Sequence, residues 1–190
     1  MKTHDAVYYN HYVGEMAFGR QLIYMLTFNV LLIASSYIQL PLPFSPVPVT
    51  AQTAAVLACG LFLGPLRGTF TVIAYLLEGS MGLPVYAGGS AGIAKLIGPT
   101  GGYLMGFAAA SFAVGWMSER IQSISYYKLL AVLTIGTIVI FIPGVYIVSL
   151  YAPEGQALIM GLYPFIPGAI VKILLLASAL AAYRRIRKSL

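Results

Sequence analysis

The chain has 190 residues, 59% of them hydrophobic and 8% charged, with a mean hydropathy of +0.87. Soluble domains carry about 25% charged residues, so a water-soluble fold is excluded and the solvent is a bilayer. The net charge of +6 does not point to nucleic acid: four of the eleven basic residues crowd the last seven positions, RRIRKSL, and the others are scattered singly between apolar runs.

Residues 1–20 form a tail at the membrane interface, holding both histidines, His4 and His11, and Tyr8, Tyr9 and Tyr12. They lack the basic, apolar and small-residue blocks of a signal peptide. A membrane domain over 21–184 follows, with six spans, and 185–190 is a basic cytoplasmic end. The fold class is therefore an all-α integral membrane protein, since a spanning helix needs about 20 mostly apolar residues.

The first span is Leu22–Leu40, stopped by Pro41, Pro43, Pro46 and Pro48. The second runs over Val49–Leu63, and the third over Gly68–Leu83 with Glu78 near its outer end. Between them, Gly64-Pro65-Leu66-Arg67-Gly68 makes a tight turn. The fourth span is Gly102–Met117, the fifth Leu129–Leu150 and the sixth Ile166–Tyr183. The pattern GP-x-x-G recurs at Gly64 and Gly98 and reads as repeated turn chemistry. Cys59, the only cysteine, lies in an apolar run and reads as a small buried hydrophobe.

Basic residues set the orientation. With the N-terminus in the cytoplasm, the inside set is Lys2, Arg20, Arg67, Arg120, Lys128, Arg184, Arg185, Arg187 and Lys188, while the outside loops hold only Lys95. That bias places both termini inside.

Catalytic chemistry has no visible apparatus. There is no GxxxxGK[ST], HExxH or GxSxG, and Asp5, Glu15, Glu78, Glu119 and Glu154 lie far apart. A small membrane enzyme acting on lipid or peptide would need a nucleophile and base, or metal ligands, inside the spans. No catalytic residue, metal or cofactor is expected.

Lys172 is the sharper signal. It stands five residues beyond Pro167, about 7.5 Å along the helix, where a lysine costs about 2.5–3.5 kcal/mol at the helix centre. It either snorkels to the outer interface or faces the bundle interior and meets a polar or anionic ligand. Lys95 is either a solvated loop lysine or a donor closing over a carboxylate. Gln52, in PVPVTAQT, either caps backbone groups or hydrogen-bonds a ligand. Glu78 reads as a solvated or packing residue near the outer surface. Tyr86, Tyr103, Tyr146 and Tyr163 lie at the outer ends of spans, as an interfacial belt or as the wall of a pocket.

Taken together, SPVPVTAQT, GLFLGPLRG, GLPVYAGGSAG, GPTGGYLMGF and PFIPGAIVK resemble, in order and spacing, the BioY family, the biotin-specific substrate-binding component of energy-coupling-factor (ECF) transporters. The resemblance covers residues 32–188. It implies a bacterial plasma-membrane protein with six helices and a biotin pocket near the outer face, biotin being the transported ligand and not a cofactor. The loops after the first and third helices would lid that pocket. The glycine-rich stretch AGGSAGIAKLIGPTGGY, with Gly88 and Gly89, is similar to the family's lid, where close backbone approach favours residues without a side chain.

The family's sixth helix usually begins PGDxxK. Here it reads Pro167-Gly168-Ala169-Ile170-Val171-Lys172, keeping the lysine and replacing the aspartate by alanine. Residues i and i+3 share a helix face, so Lys172 lacks that neighbour. Either another acceptor meets the ureido N–H groups of biotin or the affinity is altered, and a carrier for a related vitamin is the alternative. Ser90 falls where some members carry asparagine, and its hydroxyl can donate and accept. Leu104 falls where some carry arginine, which makes Lys95 a substitute for that cation. The resemblance also implies a transmembrane coupling subunit and two ATPases as partners, although the first span lacks the AxxxA docking pattern.

Overall fold

The computed structural model describes residues 17–121 and 125–189, with side chains through residue 182. The expected interfacial tail, with His4, His11 and its tyrosines, falls outside the described residues apart from its last few positions. The side chains of the basic C-terminal end do so as well.

The first helix, α1 (Phe18–Tyr37), buries Asn29, Leu32 and Ser36 on one face and leaves Leu22, Ile23, Leu26 and Val30 exposed. That distribution suits lipid, which accepts apolar side chains wherever a neighbouring helix is absent. The helix stops at Tyr37, earlier than expected. Residues 39–40 instead form β1 (Gln39–Leu40), which pairs antiparallel with β2 (Val49–Thr50) in the register Gln39↔Thr50 and Leu40↔Val49. The second span accordingly starts at Gln52, since Val49 is in the hairpin. The four prolines fill the hairpin's loop, where missing donors cost nothing.

A single helical run, α2 (Gln52–Ser80), covers the expected second and third spans, but Gly64 inside it has φ 82° and ψ −179°. Only glycine takes that conformation cheaply, and Pro65 then opens the second half. A Cβ on Gly68 would lie 2.6 Å from the Cys59 carbonyl oxygen, and Gln52 hydrogen-bonds Tyr75. Both pairs are centred on the bend, which is what two antiparallel helices joined there require. The tight turn is real. The second GP-x-x-G is not the same turn: Gly98 has φ −84°, so the shared letters hide different backbones.

A short α3 (Ile93–Ile97) leads to α4 (Gly101–Arg120), then α5 (Tyr126–Ser149), a short α6 (Ala157–Gly161) and α7 (Ile166–Ser189). Counting the halves of α2 separately, six long helices form the bundle. By length and composition, four helices among the described residues can cross a membrane: Phe18–Tyr37, Gln52–Ser80, Tyr126–Ser149 and the stretch Ala157–Ala182. Helix α4 is less apolar because it is the packed centre of the bundle. A Cβ on Gly60 would meet the Ser111 carbonyl oxygen at 2.2 Å, and one on Gly115 would meet Pro65 N at 2.4 Å. Small residues let these backbones touch, as membrane helix pairs favour.

Two polar features lie between helices. The Asn29 amide donates to both Glu78 carboxylate oxygens, at 3.2 and 3.3 Å. Glu78 is thus held between α1 and α2 by a buried partner, so of its two readings the packing role holds. At the opposite end Arg67 Nε donates to Gln21 Oε1 at 3.0 Å, bringing the α2 bend beside the start of α1.

Candidate functional site

At the end of the bundle holding the β1–β2 hairpin and the segment 81–100 lies a cavity of about 270 Å³. Its walls are apolar, with Leu42, Val47, Leu104, Phe107, Phe141 and Phe165 among them. Tyr103 packs 5.8 Å from Phe165 and edge-on to Phe141 at 6.4 Å, ring centre to ring centre. Ligand pockets typically span about 300–1,000 Å³ with few polar groups, so this one suits a small ligand.

Lys172 lines the cavity. Its ammonium donates to the Thr50 carbonyl oxygen at 2.5 Å and to Thr53 Oγ1 at 3.0 Å. It therefore points inward, and the snorkelling alternative fails. An ammonium has three N–H donors, so one remains for a ligand. Ala169, one turn before it, lines the same cavity, which leaves the expected gap beside the lysine. Lys95 sits on α3, exposed at the rim, and also lines the cavity. Among the described residues it has no side-chain partner. The lining holds these two lysines and no acidic residue, so its field favours an anion.

Gln52 is 3% exposed and lines the cavity. Its side chain does not cap α2, which removes the capping alternative. The Thr50 hydroxyl donates to Gln52 Oε1 at 2.9 Å, and Gln52 Nε2 donates to the Tyr75 hydroxyl.

Tyr86 and Tyr103 are buried and line the cavity, so neither belongs to an interfacial belt, whereas Tyr146 and Tyr163 are exposed as a belt requires. The Tyr86 hydroxyl donates to the Leu76 carbonyl oxygen at 2.6 Å, and burial holds its pKa above the ordinary phenol value. Tyr103 donates to the Gly161 carbonyl oxygen. Ser90 lines the cavity while its hydroxyl donates to the Ala87 carbonyl oxygen at 2.8 Å. Its one hydrogen is committed, so towards a ligand it acts as an acceptor.

Gly88 and Gly89 are not among the lining residues. Their φ values are +66° and +74°, and a Cβ on Gly88 would sit 2.2 Å from Gln39 Nε2, one on Gly89 3.3 Å from the Tyr37 ring. These close approaches are between the glycine loop and the chain leaving α1, at Tyr37 and at Gln39 of β1. These segments form a roof. The Tyr37 hydroxyl donates to the Pro84 carbonyl oxygen at 2.5 Å, Tyr151 to that of Ile97 at 2.6 Å, and Ser45 to that of Met160 at 2.7 Å.

Sequence reasoning missed Gln39, Thr50, Thr53, Phe141 and Phe165. The repeated Pro-x-Pro spacing marked a loop, but nothing in it announced a hairpin that brings Gln39 over the cavity.

Residues 9–189 match the model of the BioY family. The chain is 37% identical over 166 residues to a protein from Thermotoga maritima named biotin transporter BioY, covering 87% of this chain and 95% of the relative. A Rhizobium etli protein of the same name is 32% identical, with 83% and 89% covered. Among solved structures, the fold is similar to the crystal structure of the S-component for biotin from an ECF-type ABC transporter. That likeness has a TM-score of 0.80 at 31% identity and covers 91% of this chain and 95% of the other.

Proposed function

The chain belongs to the BioY family, and from that premise we propose that it binds biotin in this cavity as the substrate-binding component of an ECF-type transporter. It is a multi-pass membrane protein for transport, not an enzyme. The observation that carries the substrate reading is the cavity itself, apolar-walled with two ammonium groups and no carboxylate. Biotin presents an apolar body, a neutral ureido head and one carboxylate, and each has a counterpart there.

In this reading Lys172 and Lys95 supply N–H donors, Lys95 meeting the carboxylate at the rim. Ser90, whose hydroxyl can only accept, receives a ureido N–H in place of the aspartate that Ala169 replaces. Tyr86 and Tyr103 wall the ligand, Gln52 supports the floor, and the loop with Gly88 and Gly89 closes over it. The cavity end faces outward and both termini lie in the cytoplasm of a bacterial plasma membrane. The placement of Arg20, Arg67, Arg120 and Lys128 away from the loop holding Lys95 supports this orientation. A transmembrane coupling subunit and two ATPases supply the energy.

Equilibrium binding of labelled biotin to the purified protein tests the core of this reading, with desthiobiotin and riboflavin as competitors. Saturable biotin binding displaced by desthiobiotin supports it. No biotin binding alongside clear riboflavin binding would mean that Ala169 marks a different specificity. Uptake into proteoliposomes with and without the ATPase module tests the coupling, and uptake indifferent to ATP would remove that part.

A further inference from the structure

A continuous run of hydrogen bonds leads from the floor of the cavity to its roof through a residue outside the cavity lining. Lys172 Nζ donates to the Thr50 carbonyl oxygen at 2.5 Å, and the Thr50 hydroxyl donates to Gln52 Oε1 at 2.9 Å. Gln52 Nε2 donates to the Tyr75 hydroxyl, which donates to the Val85 carbonyl oxygen at 3.0 Å. Tyr75 is fully buried, and Gln52 and Val85 are 3% and 7% exposed.

The direction of every bond follows from the two ends. A carbonyl only accepts, so Tyr75 commits its single hydrogen to Val85 and must accept from its other neighbour. Gln52 therefore turns its amide nitrogen to Tyr75 and its oxygen to Thr50. The Thr50 hydroxyl must then donate. At the far end an ammonium only donates, and Thr50 meets it with a carbonyl. No member can reverse without losing a bond, and at Gln52, Tyr75 and Val85, all buried, little water can replace it.

Val85 leads directly into the part of the roof that faces the cavity. The Tyr86 N–H bonds the Ser90 carbonyl oxygen at 3.0 Å, and the Gly92 N–H bonds that of Gly79 at 2.7 Å. A shift of the Val85 carbonyl therefore moves Tyr86 and Ser90 together.

We infer that Tyr75 is a positioning residue for ligand binding, transmitting the placement of Lys172, through Thr50 and Gln52, to the roof segment that carries Tyr86 and Ser90. It touches no ligand and acts through the groups it holds. The role in binding rests on the biotin reading above, while the coupling itself is a property of the protein without ligand.

The test uses the whole chain in detergent or nanodiscs. Tyr75→Phe removes one oxygen and keeps the ring. It should weaken biotin binding about five- to tenfold, the worth of roughly one net hydrogen bond. In ligand-free protein, Lys172→Met should speed hydrogen exchange at the Tyr86 and Gly92 amides several-fold. The same substitution should add nothing in a Tyr75→Phe background. Thr50→Val should copy the Tyr75→Phe effect on exchange, and Thr50→Ser, which keeps the donor, should recover it. Additive effects of Lys172→Met and Tyr75→Phe on exchange would overturn the inference, as would equal behaviour of Thr50→Val and Thr50→Ser. If the wild-type protein binds no biotin, the functional reading falls, and the exchange measurements still decide the relay.

Discussion

Lys172 and Thr53 meet across the floor of the cavity, with Nζ 3.0 Å from Oγ1. The contact holds an ammonium in the bundle against its tendency to reach for water, because two protein oxygens replace part of its hydration shell. A third donor stays uncommitted, and the first prediction concerns it. Lys172→Ala should lower biotin affinity about 10–100-fold, the range for losing a charge-assisted hydrogen bond. Titration of the purified variant measures this, with circular dichroism to establish that the helices persist. Affinity within twofold of wild type would remove Lys172 from the site.

Lys95 differs because it is exposed at the rim. Water and salt screen it, so Lys95→Ala should cost less, about two- to tenfold. The difference between wild type and variant should shrink as salt rises from low ionic strength to about 1 M, where the screening length falls to about 3 Å. A salt-independent difference would mean that the side chain packs and does not act through its charge.

Ala169 stands one helical turn from Lys172, and both line the cavity. Ala169→Asp places a carboxylate where it can accept a ureido N–H and pair with the ammonium. Biotin and desthiobiotin share the ureido head, so both should bind more tightly, by about fivefold or more. Competition assays against labelled biotin read the outcome. Weaker binding of both ligands would show that the cavity has adapted to the smaller residue.

The bundle centre should resist even one added methyl group. Gly60→Ala would put a Cβ 2.2 Å from a backbone oxygen of α4, at Ser111. Neither helix can yield there as a flexible side chain would. A loss of about 1–3 kcal/mol is expected from overpacking, seen as a lower melting temperature in detergent. Gly19→Ala, where a Cβ would meet nothing within 4 Å, should leave the melting temperature unchanged.

Much of this molecule can be read from its letters, for specific reasons. Gly64-Pro65 announces its bend because only glycine takes φ 82° freely and proline opens the next helix. Lys172 announces itself because a lone cation in an apolar run is costly. The hairpin could not be read: strands of two residues, 39–40 and 49–50, are too short for any alternation to show. The side of each helix that faces the cavity was equally hidden. In water a helix marks its buried face by polarity, but lipid-facing and core-facing positions here are both apolar. Phe141 and Phe165 therefore look no different from Phe18 or Phe70 until the fold places them.

The fastenings of the roof segment differ in wetness. Tyr37 and Tyr151 grip their carbonyls at exposed positions, while Tyr75 grips Val85 where solvent does not reach. Each phenol on the outside can trade its carbonyl for a water molecule as it lets go, so loosening there is nearly neutral in free energy. Beneath, no such exchange partner exists. Loosening of the roof should thus begin at the wet clasps, while the dry one keeps the shape of the chamber.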